Sequence, residues 1–368
     1  MEETPTIVID NGSGLIKSGF GGDDEPRHVF PTMIQRKKSD PNNHLGRHGY
    51  YVGDLVSTTN SPYHPISYPI EKGIINHFED IETIWYHNFY YYLKAPPEEY
   101  ALLLTDVCWN TKEKKQKIIQ IMFENFDVPA FYLSDSSSLS LYSFGKTSGV
   151  VFQSGEEVSS SVPVFEGLPL SDSVSLIDYS GKQVTEKIVR VVAEKGFCYS
   201  PFEKREIIQK IKENCFVSLD FEKEMKNHEK QLEKQFELPD GKIIKFGKEL
   251  FEFVEPFFQN SSKKSSIQQS LFCSISKNDS QLSNLLFSNV FICGGSAMFR
   301  GMKERIEKET TKILGDSSLN VQIYSNPERK YSAWTGASIL STLSIFENMY
   351  VLHGKYDEYG PAIVNHFF

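Results

Sequence analysis

The sequence predicts an α/β protein of two lobes made from a duplicated unit, with a cleft between them. Two small-residue turns carry that reading, each entered from a β-branched run and left through a second strand-like run. Asp10-Asn11-Gly12-Ser13-Gly14 lies between Ile7-Val8-Ile9 and Leu15 to Phe20; Gln153-Ser154-Gly155-Glu156-Glu157 lies between Val150-Val151-Phe152 and Val158 to Pro163. Strand followed by helix then recurs in both halves. The length, 368 residues, is long for a single core, and 39% apolar with 13% aromatic content suffices for two.

In chain order, the first hairpin is followed by a polar, turn-rich segment, Asp40 to Gly49, expected as a surface loop. From Ile70, apolar residues at Ile74, Phe78, Ile81, Trp85, Phe89 and Leu93 fall in steps of three or four and predict one helical stripe. Leu102-Leu103-Leu104 reads as a buried strand; Asn110 with Glu113 has capping-box spacing and predicts a helix over Ile118, Met122 and Phe126. The second half repeats the order: the hairpin from Gly149 to Glu166, a strand at Ser175-Leu176-Ile177, and a helix through Val184, Ile188, Val191 and Val192. A further helix over 203 to 216 turns Ile207, Ile208, Ile211 and Cys215 inward, and Ser261 to Ser266 is a polar surface loop by composition. Val290 to Cys293 is strand-like and leads into Gly294-Gly295-Ser296. Paired glycines there allow a flat ligand to approach the backbone, and equally a plain tight turn. Gly145-Lys146-Thr147 has the end of a P-loop, but Ser140 stands where its first glycine belongs, so the motif is rejected.

Composition narrows the partners. A formal net charge of −9, with cations spread along the chain, argues against nucleic acid and leaves a nucleotide or another protein. The cysteines Cys108, Cys198, Cys215, Cys273 and Cys293 are odd in number and lack a CxxC pair, which argues against a disulfide framework or zinc cage and for a reducing compartment. No apolar stretch reaches the roughly 20 residues of a membrane span. The start, Met1-Glu2-Glu3-Thr4, is acidic where a signal peptide is basic, so a cytoplasmic location is expected.

Six motifs in order raise a family resemblance: Asp10-Asn11-Gly12-Ser13-Gly14, Tyr68-Pro69-Ile70-Glu71, Gln120-Ile121-Met122-Phe123-Glu124, Glu237-Leu238-Pro239-Asp240-Gly241, Pro327-Glu328-Arg329-Lys330-Tyr331-Ser332 and Tyr356-Asp357-Glu358. The chain resembles the actin family from end to end. The resemblance implies the two-lobed actin-like ATPase fold of duplicated ribonuclease-H-like domains, with ATP and a divalent cation (Mg2+ or Ca2+) in the cleft, and assembly into cytoskeletal filaments. It places the first lobe at 1–144 with 337–368, including 33–69 as a small subdomain, and the second at 145–336, including 181–269.

Carried over by position, the resemblance implies that the backbone of Gly12, Ser13, Gly14 and Leu15 and the Ser13 hydroxyl hold the terminal phosphates. Lys17 reaches across them and Asp10 holds water on the metal. Gly155 and Glu156 belong to the second phosphate turn. Lys212 and Glu213 sit at base and ribose positions, although such a pair alone would read as a solvated helix face. Gly294 and Gly295 meet the nucleotide with backbone, Ser296 and Phe299 stand for a threonine and a tyrosine, and Lys330 lies near the adenine. The positions that orient the attacking water read Ser136, Gln153 and Ser160 in place of glutamine, aspartate and histidine, so hydrolysis is expected to be very slow, since losing one positioned group costs roughly 100-fold in rate. Glu156 and Glu157 replace aspartate and glycine. Strain at Glu157, and a carboxylate about 6 Å from a phosphate, unfavourable by about 3 kcal/mol, are expected to weaken ATP binding. Asp135, one residue away on an expected helix, points elsewhere.

The filament surfaces divide in the same way. The segments 39–49 and 261–266, apolar in the family, are polar here apart from Leu45. The groove matching Tyr142, Thr147, Ile339, Leu340, Leu343 and Met349 keeps its character and is expected to take other actin subunits or actin-binding proteins, though Ile339, Leu340 and Leu343 would equally suit core packing. Lys72 replaces the family's histidine beside the phosphate-sensing loop, which removes a modification site. Three functions compete: an actin-like protein with impaired hydrolysis acting within or at the end of filaments, a fully competent polymerising ATPase in cell motility, and a scaffold subunit of a multiprotein complex.

Overall fold

The computed structural model describes residues 5–36, 49–58, 66–197, 201–226, 233–238, 241–260, 265–315 and 319–367. The polar stretch 40–48, residues 261–264 and Cys198 lie outside them. The elements used below are, in order, β1 (Ile7–Asn11), β2 (Leu15–Phe20), β3 (His28–Pro31), α1 (Phe78–His87), β4 (Leu102–Asp106), α2 (Lys112–Glu124), β5 (Ala130–Asp135), α3 (Ser136–Tyr142), β6 (Gly149–Ser154), β7 (Ser159–Phe165), β8 (Ser175–Ile177), α4 (Gly181–Glu194), α5 (Pro201–Glu213), β9 (Val290–Cys293), β10 (Ile323–Tyr324), α6 (Ser332–Ser341) and β11 (Val351–Leu352).

The chain divides into two units, one of residues 1–147, 164–171 and 331–368, the other of 148–163 and 172–330. In the first, β1 and β2 form an antiparallel hairpin extended by β3, while β4 lies parallel to β1 and β5 parallel to β4; β11 closes the far edge. The second unit repeats the order. Strands β6 and β7 are hairpin neighbours, β8 pairs antiparallel with β7, β9 runs parallel to β6 and β10 parallel to β9. Three consecutive antiparallel strands, the first two joined by a tight turn, followed by two parallel strands that need crossovers, is thus the plan of both sheets. The duplication expected from the two turns is present in strand order.

The core of the first unit gathers Ile7, Ile9, Trp85, Phe89, Leu102, Leu104, Phe123 and Phe131, and that of the second Val150, Phe152, Ile188, Phe246, Phe257 and Phe287. Each fully buried large side chain contributes on the order of 2–3 kcal/mol. Helix α3 packs on α6, where Leu139 and Trp334 are fully buried and the Trp334 indole donates to the Val8 carbonyl at 3.1 Å.

Several helix boundaries differ from the sequence reading; α5 ends at Glu213, so the buried Cys215 follows that helix instead of lying on its inner face. The stripe begins at Phe78, because Lys72 and Gly73, both at positive φ (50° and 81°), turn a short hairpin that pairs Ile70 with Ile75 and Glu71 with Ile74. Periodicity carried across a turn it could not see. Helix α2 is capped by Thr111, whose side chain accepts from the Lys114 amide, while Asn110 turns its amide onto Asp106. Phe126 lies beyond the end of that helix. Both polar residues before α2 can cap; the buried Asp106 carboxylate takes the first of them.

Candidate functional site

In the first unit the register of the hairpin places Asp10 directly opposite Lys17, and their side chains pair at 2.5 Å. Thr105 on β4 donates to the other Asp10 oxygen at 2.9 Å and accepts the Asn11 amide at 2.9 Å. Thr32 holds the carbonyls of Gly12 and Gly14, through its hydroxyl at 2.7 Å and its amide at 3.1 Å, which fixes both peptide planes of the turn. The Ser13 hydroxyl accepts the Gly73 amide at 3.0 Å and so keeps its own proton to donate. A Cβ on Gly12 would meet the Leu15 carbonyl at 2.6 Å, so only glycine makes this turn. The result is a pinned turn that carries a hydroxyl donor, an ammonium and a buried carboxylate, a donor set that fits a phosphate chain and a hydrated divalent cation. Thr32, Gly73 and Thr105 were missed in the sequence, where nothing local marks residues so distant as parts of one turn.

In the second unit the turn after β6 is built against the start of α4. The Ser180 hydroxyl donates to the Glu156 carbonyl at 2.6 Å, and the amides of Gly181 and Lys182 donate to Gly155 and Glu156 at 3.0 and 2.6 Å. Ser296 donates to the Gly155 carbonyl at 2.7 Å. Lys212 near the end of α5 pairs with Glu156 at 2.9 Å and donates to Thr185 at 3.0 Å, and Lys182 pairs with Glu157 at 2.8 Å. All of this crowds Gly181, where a Cβ would come within 2.8 Å of both the Glu156 carboxylate and the Lys212 ammonium. Gly155, Glu156, Lys212 and Ser296 are therefore brought together. Gly294, at φ 95°, lies so close to the Ser154 backbone that a Cβ would clash with it; this glycine serves the packing of β9 on β6. Gly295 has open space at its Cα. Lys330 is exposed and follows Arg329, whose carbonyl accepts the Gly294 amide at 2.9 Å, whereas Glu213 is exposed and bonded to Gln209.

The two carboxylates of this turn correct an expectation. Glu157 does not adopt the left-handed backbone of a glycine, so the strain foreseen there is absent, and each glutamate is neutralised by a lysine. Of the positions expected to orient water, Ser136 is the first residue of α3, Gln153 lies on β6 opposite Cys293, and Ser160 is buried on β7 opposite Leu176. Asp135 is not inside a helix; it caps α3 and accepts the amides of Ser137 and Ser138, each at 2.9 Å. It also lies beside Asp106 in the parallel register of β4 and β5. Burial raises both carboxyls, Asp106 to about 6, so this pair resists carrying two charges.

The residues expected to line a groove all lie in the first unit. Leu343 and Ile339 are exposed, Leu340 is buried against Trp334, and Tyr142 stands over Gly167, whose amide donates to the Thr147 carbonyl at 2.7 Å. Leu168 and Ile345, more exposed than either, extend the apolar surface. Met349 packs from the side. The alternation settles the earlier ambiguity: Leu340 is core, and Ile339 and Leu343 are surface.

Two units that share one strand order, each with a hairpin turn beside parallel strands of a mixed sheet, define a duplicated two-lobed α/β protein. The family model for actin matches residues 1–368, the whole chain, and the protein belongs to the actin family. No helix among the described residues is long and apolar enough to cross a membrane.

Proposed function

We propose that this actin-family protein binds ATP with Mg2+ or Ca2+ chiefly as a structural ligand, hydrolyses it slowly, and acts through protein contacts within or at the end of filaments. The observation that carries the reading is the first turn, where Thr105 holds Asp10, Gly73 holds Ser13, and Asp10 in turn pairs with Lys17 across the hairpin. Lys17 and the Ser13 hydroxyl supply charge and a proton donor to phosphate, and Asp10 supplies an acceptor for metal-bound water. The bound cation would offset phosphate charge. Lys212 supports a nucleoside role through its place beside Gly155, Ser296 and the opening of α4.

Slow hydrolysis follows from side-chain reach. Serine at 136 and at 160 and an amide at Gln153 offer neither the carboxylate nor the imidazole that would orient water and take up its proton. The test is nucleotide content of the purified protein together with phosphate release from the parent and from Ser136→Gln with Gln153→Asp and Ser160→His. Bound nucleotide, little release, and faster release in the triple variant are expected. Brisk release by the parent would refute the hydrolysis reading, and absence of nucleotide would refute the ligand reading.

The face of Tyr142, Ile339, Leu343 and Met349 supports docking of an amphipathic helix or of a neighbouring subunit, because Ile339 and Leu343 are exposed apolar residues either side of the buried Leu340, on whose core Tyr142 and Met349 also pack.

A further inference from the structure

We propose that the rings around Tyr92 form an acid-operated clasp, which holds the segment Gly53–Thr58 to the first unit's sheet at neutral pH and releases it when His28 and His87 take up protons. Helix α1 runs without a break into a π-helical turn over Asn88–Leu93, which Lys94 ends in the left-handed conformation at φ 53°. A π-helical turn is rare and persists where its surroundings hold it. This one delivers Tyr92 into a cluster of rings. Tyr92 stacks on Phe30 of β3 with centroids 4.4 Å apart, while His28, also of β3, and His87, the last residue of α1, approach it at 5.4 and 5.1 Å. His87 stacks on Tyr91 as well, at 4.5 Å. The Tyr92 hydroxyl reaches the 3-10 helix Gly53–Thr58, where it meets the Asp54 backbone and lies 3.4 Å from the place a Cβ of Gly53 would take. One ring thus touches α1, β3 and the segment that begins at Gly53.

The two histidines are poorly placed to carry charge. The Nε2 atom of His87 is buried without a hydrogen-bond partner, and the fully buried Asn88 beside it has an unpartnered Nδ2, although its Oδ1 accepts from Ser18 at 2.6 Å. Once both ring nitrogens of His87 carry protons, the one on Nε2 has no acceptor. Burial, and then the adjacent Arg27 guanidinium, push His28 below the ordinary 6.5; burial does the same for His87. The other titratable or charged groups at the cluster are Asp23, which Arg27 holds at 2.7 Å, Asp54 against the Tyr92 hydroxyl, and the phenols of Tyr91 and Tyr92. Ring faces soften the cost of a cation, and Asp54 opposes it across Tyr92, yet neither supplies an acceptor at Nε2. As pH falls below 6.5 an opened cluster takes up protons that the closed one refuses, so closure is complete above that value and weakens beneath it. The clasp lies wholly in the first unit and shares no residue with the nucleotide turns or the groove.

The test is hydrogen–deuterium exchange of the intact chain at about pH 7.5 and about pH 5.5, corrected for intrinsic rate and followed in peptides covering 49–58 and 86–94. Both should lose protection about tenfold at the lower pH, while a peptide covering Val290–Cys293 of the second unit keeps its own. His28→Ala with His87→Gln should reduce that pH effect to less than about twofold. Tyr92→Phe keeps the ring but lacks the hydroxyl, and should expose 49–58 at either pH while sparing 86–94. In the parent, the imidazole NMR signals missing from the double variant should titrate below 6.5, and that titration decides the matter where the double variant is already unprotected at the higher pH. Protection that does not change with pH, an undiminished pH effect in a double variant protected like the parent, or loss in both units together would each overturn the proposal. Imidazoles titrating at or above 6.5, or a Tyr92→Phe variant whose 49–58 segment is as protected as the parent's, would overturn it too.

Discussion

Lys17 and Asp10 form a cross-strand ion pair whose two members are both largely withdrawn from water. Removing the lysine should matter twice, by deleting a cation for phosphate and by leaving Asp10 unpaired. Lys17→Ala is expected to weaken ATP binding by roughly 1.5–3 kcal/mol, the scale of a charge-assisted hydrogen bond, in a titration with a fluorescent ATP analogue. An unchanged dissociation constant would remove the first turn from the site. Asp106 allows a prediction about pH. Burial raises its carboxyl from 3.8 to about 6, so between those values the folded protein holds a proton that the unfolded chain has released. The stability this group contributes is full below its unfolded value and is lost as pH rises through about 6. Chemical denaturation at a series of pH values should therefore show the parent losing stability relative to Asp106→Asn, which resembles the protonated acid and lacks the titration. Parallel profiles would show that Asp106 is ionised throughout.

At the scale of the element, α3 carries more than its length promises. Asp135 caps it, Ser136 opens it, and its Leu139 carbonyl lies where a side chain on Gly336 of α6 would have to be. The obstacle is backbone, which cannot rotate away. Gly336→Ala should push the two helices apart and cost about 3 kcal/mol or more, read as a fall in denaturation midpoint. A variant as stable as the parent would mean that the helices slide freely. The sequence marked Leu102 to Leu104 and Val150 to Phe152 well, because those apolar runs are buried on both faces, but it left β5 unmarked. It could not mark the start of α1 or the cap of α2. The Ile70 to Leu93 periodicity continues through a two-residue turn, and the choice between Asn110 and Thr111 was made by a carboxylate four residues upstream.

For the whole molecule, self-assembly is expected to be weak and lopsided. The groove at Tyr142, Ile339 and Leu343 offers apolar area, whereas the segments 39–49 and 261–266 are polar in sequence and offer little in return. On sedimentation with salt and magnesium, most of the pure protein should stay in the supernatant, while a fraction pellets with conventional actin filaments. Leu343→Asp should reduce that fraction. Efficient pelleting of the protein alone at micromolar concentration would overturn the asymmetry, and no pelleting in either mixture would favour the scaffold reading.

What the sequence determined by itself is what depends on short-range pattern. The two hairpin turns, the strand and helix order of each half, and membership of the actin family are written in contiguous residues, where alternation, turn chemistry and motif spacing act over a few positions. Only the tertiary structure decided which distant partners those turns acquired. Thr32, Gly73 and Thr105 fix the first turn, and Lys212 and Lys182 neutralise the glutamates of the second, where sequence alone left two bare carboxylates and a strained backbone. The exposure of Tyr86, Tyr90 and Tyr91 belongs to the same class, since a helical period says which residues share a face but not which face the core leaves to solvent. Charge and burial are properties of neighbourhoods, and a neighbourhood exists only once the chain has folded.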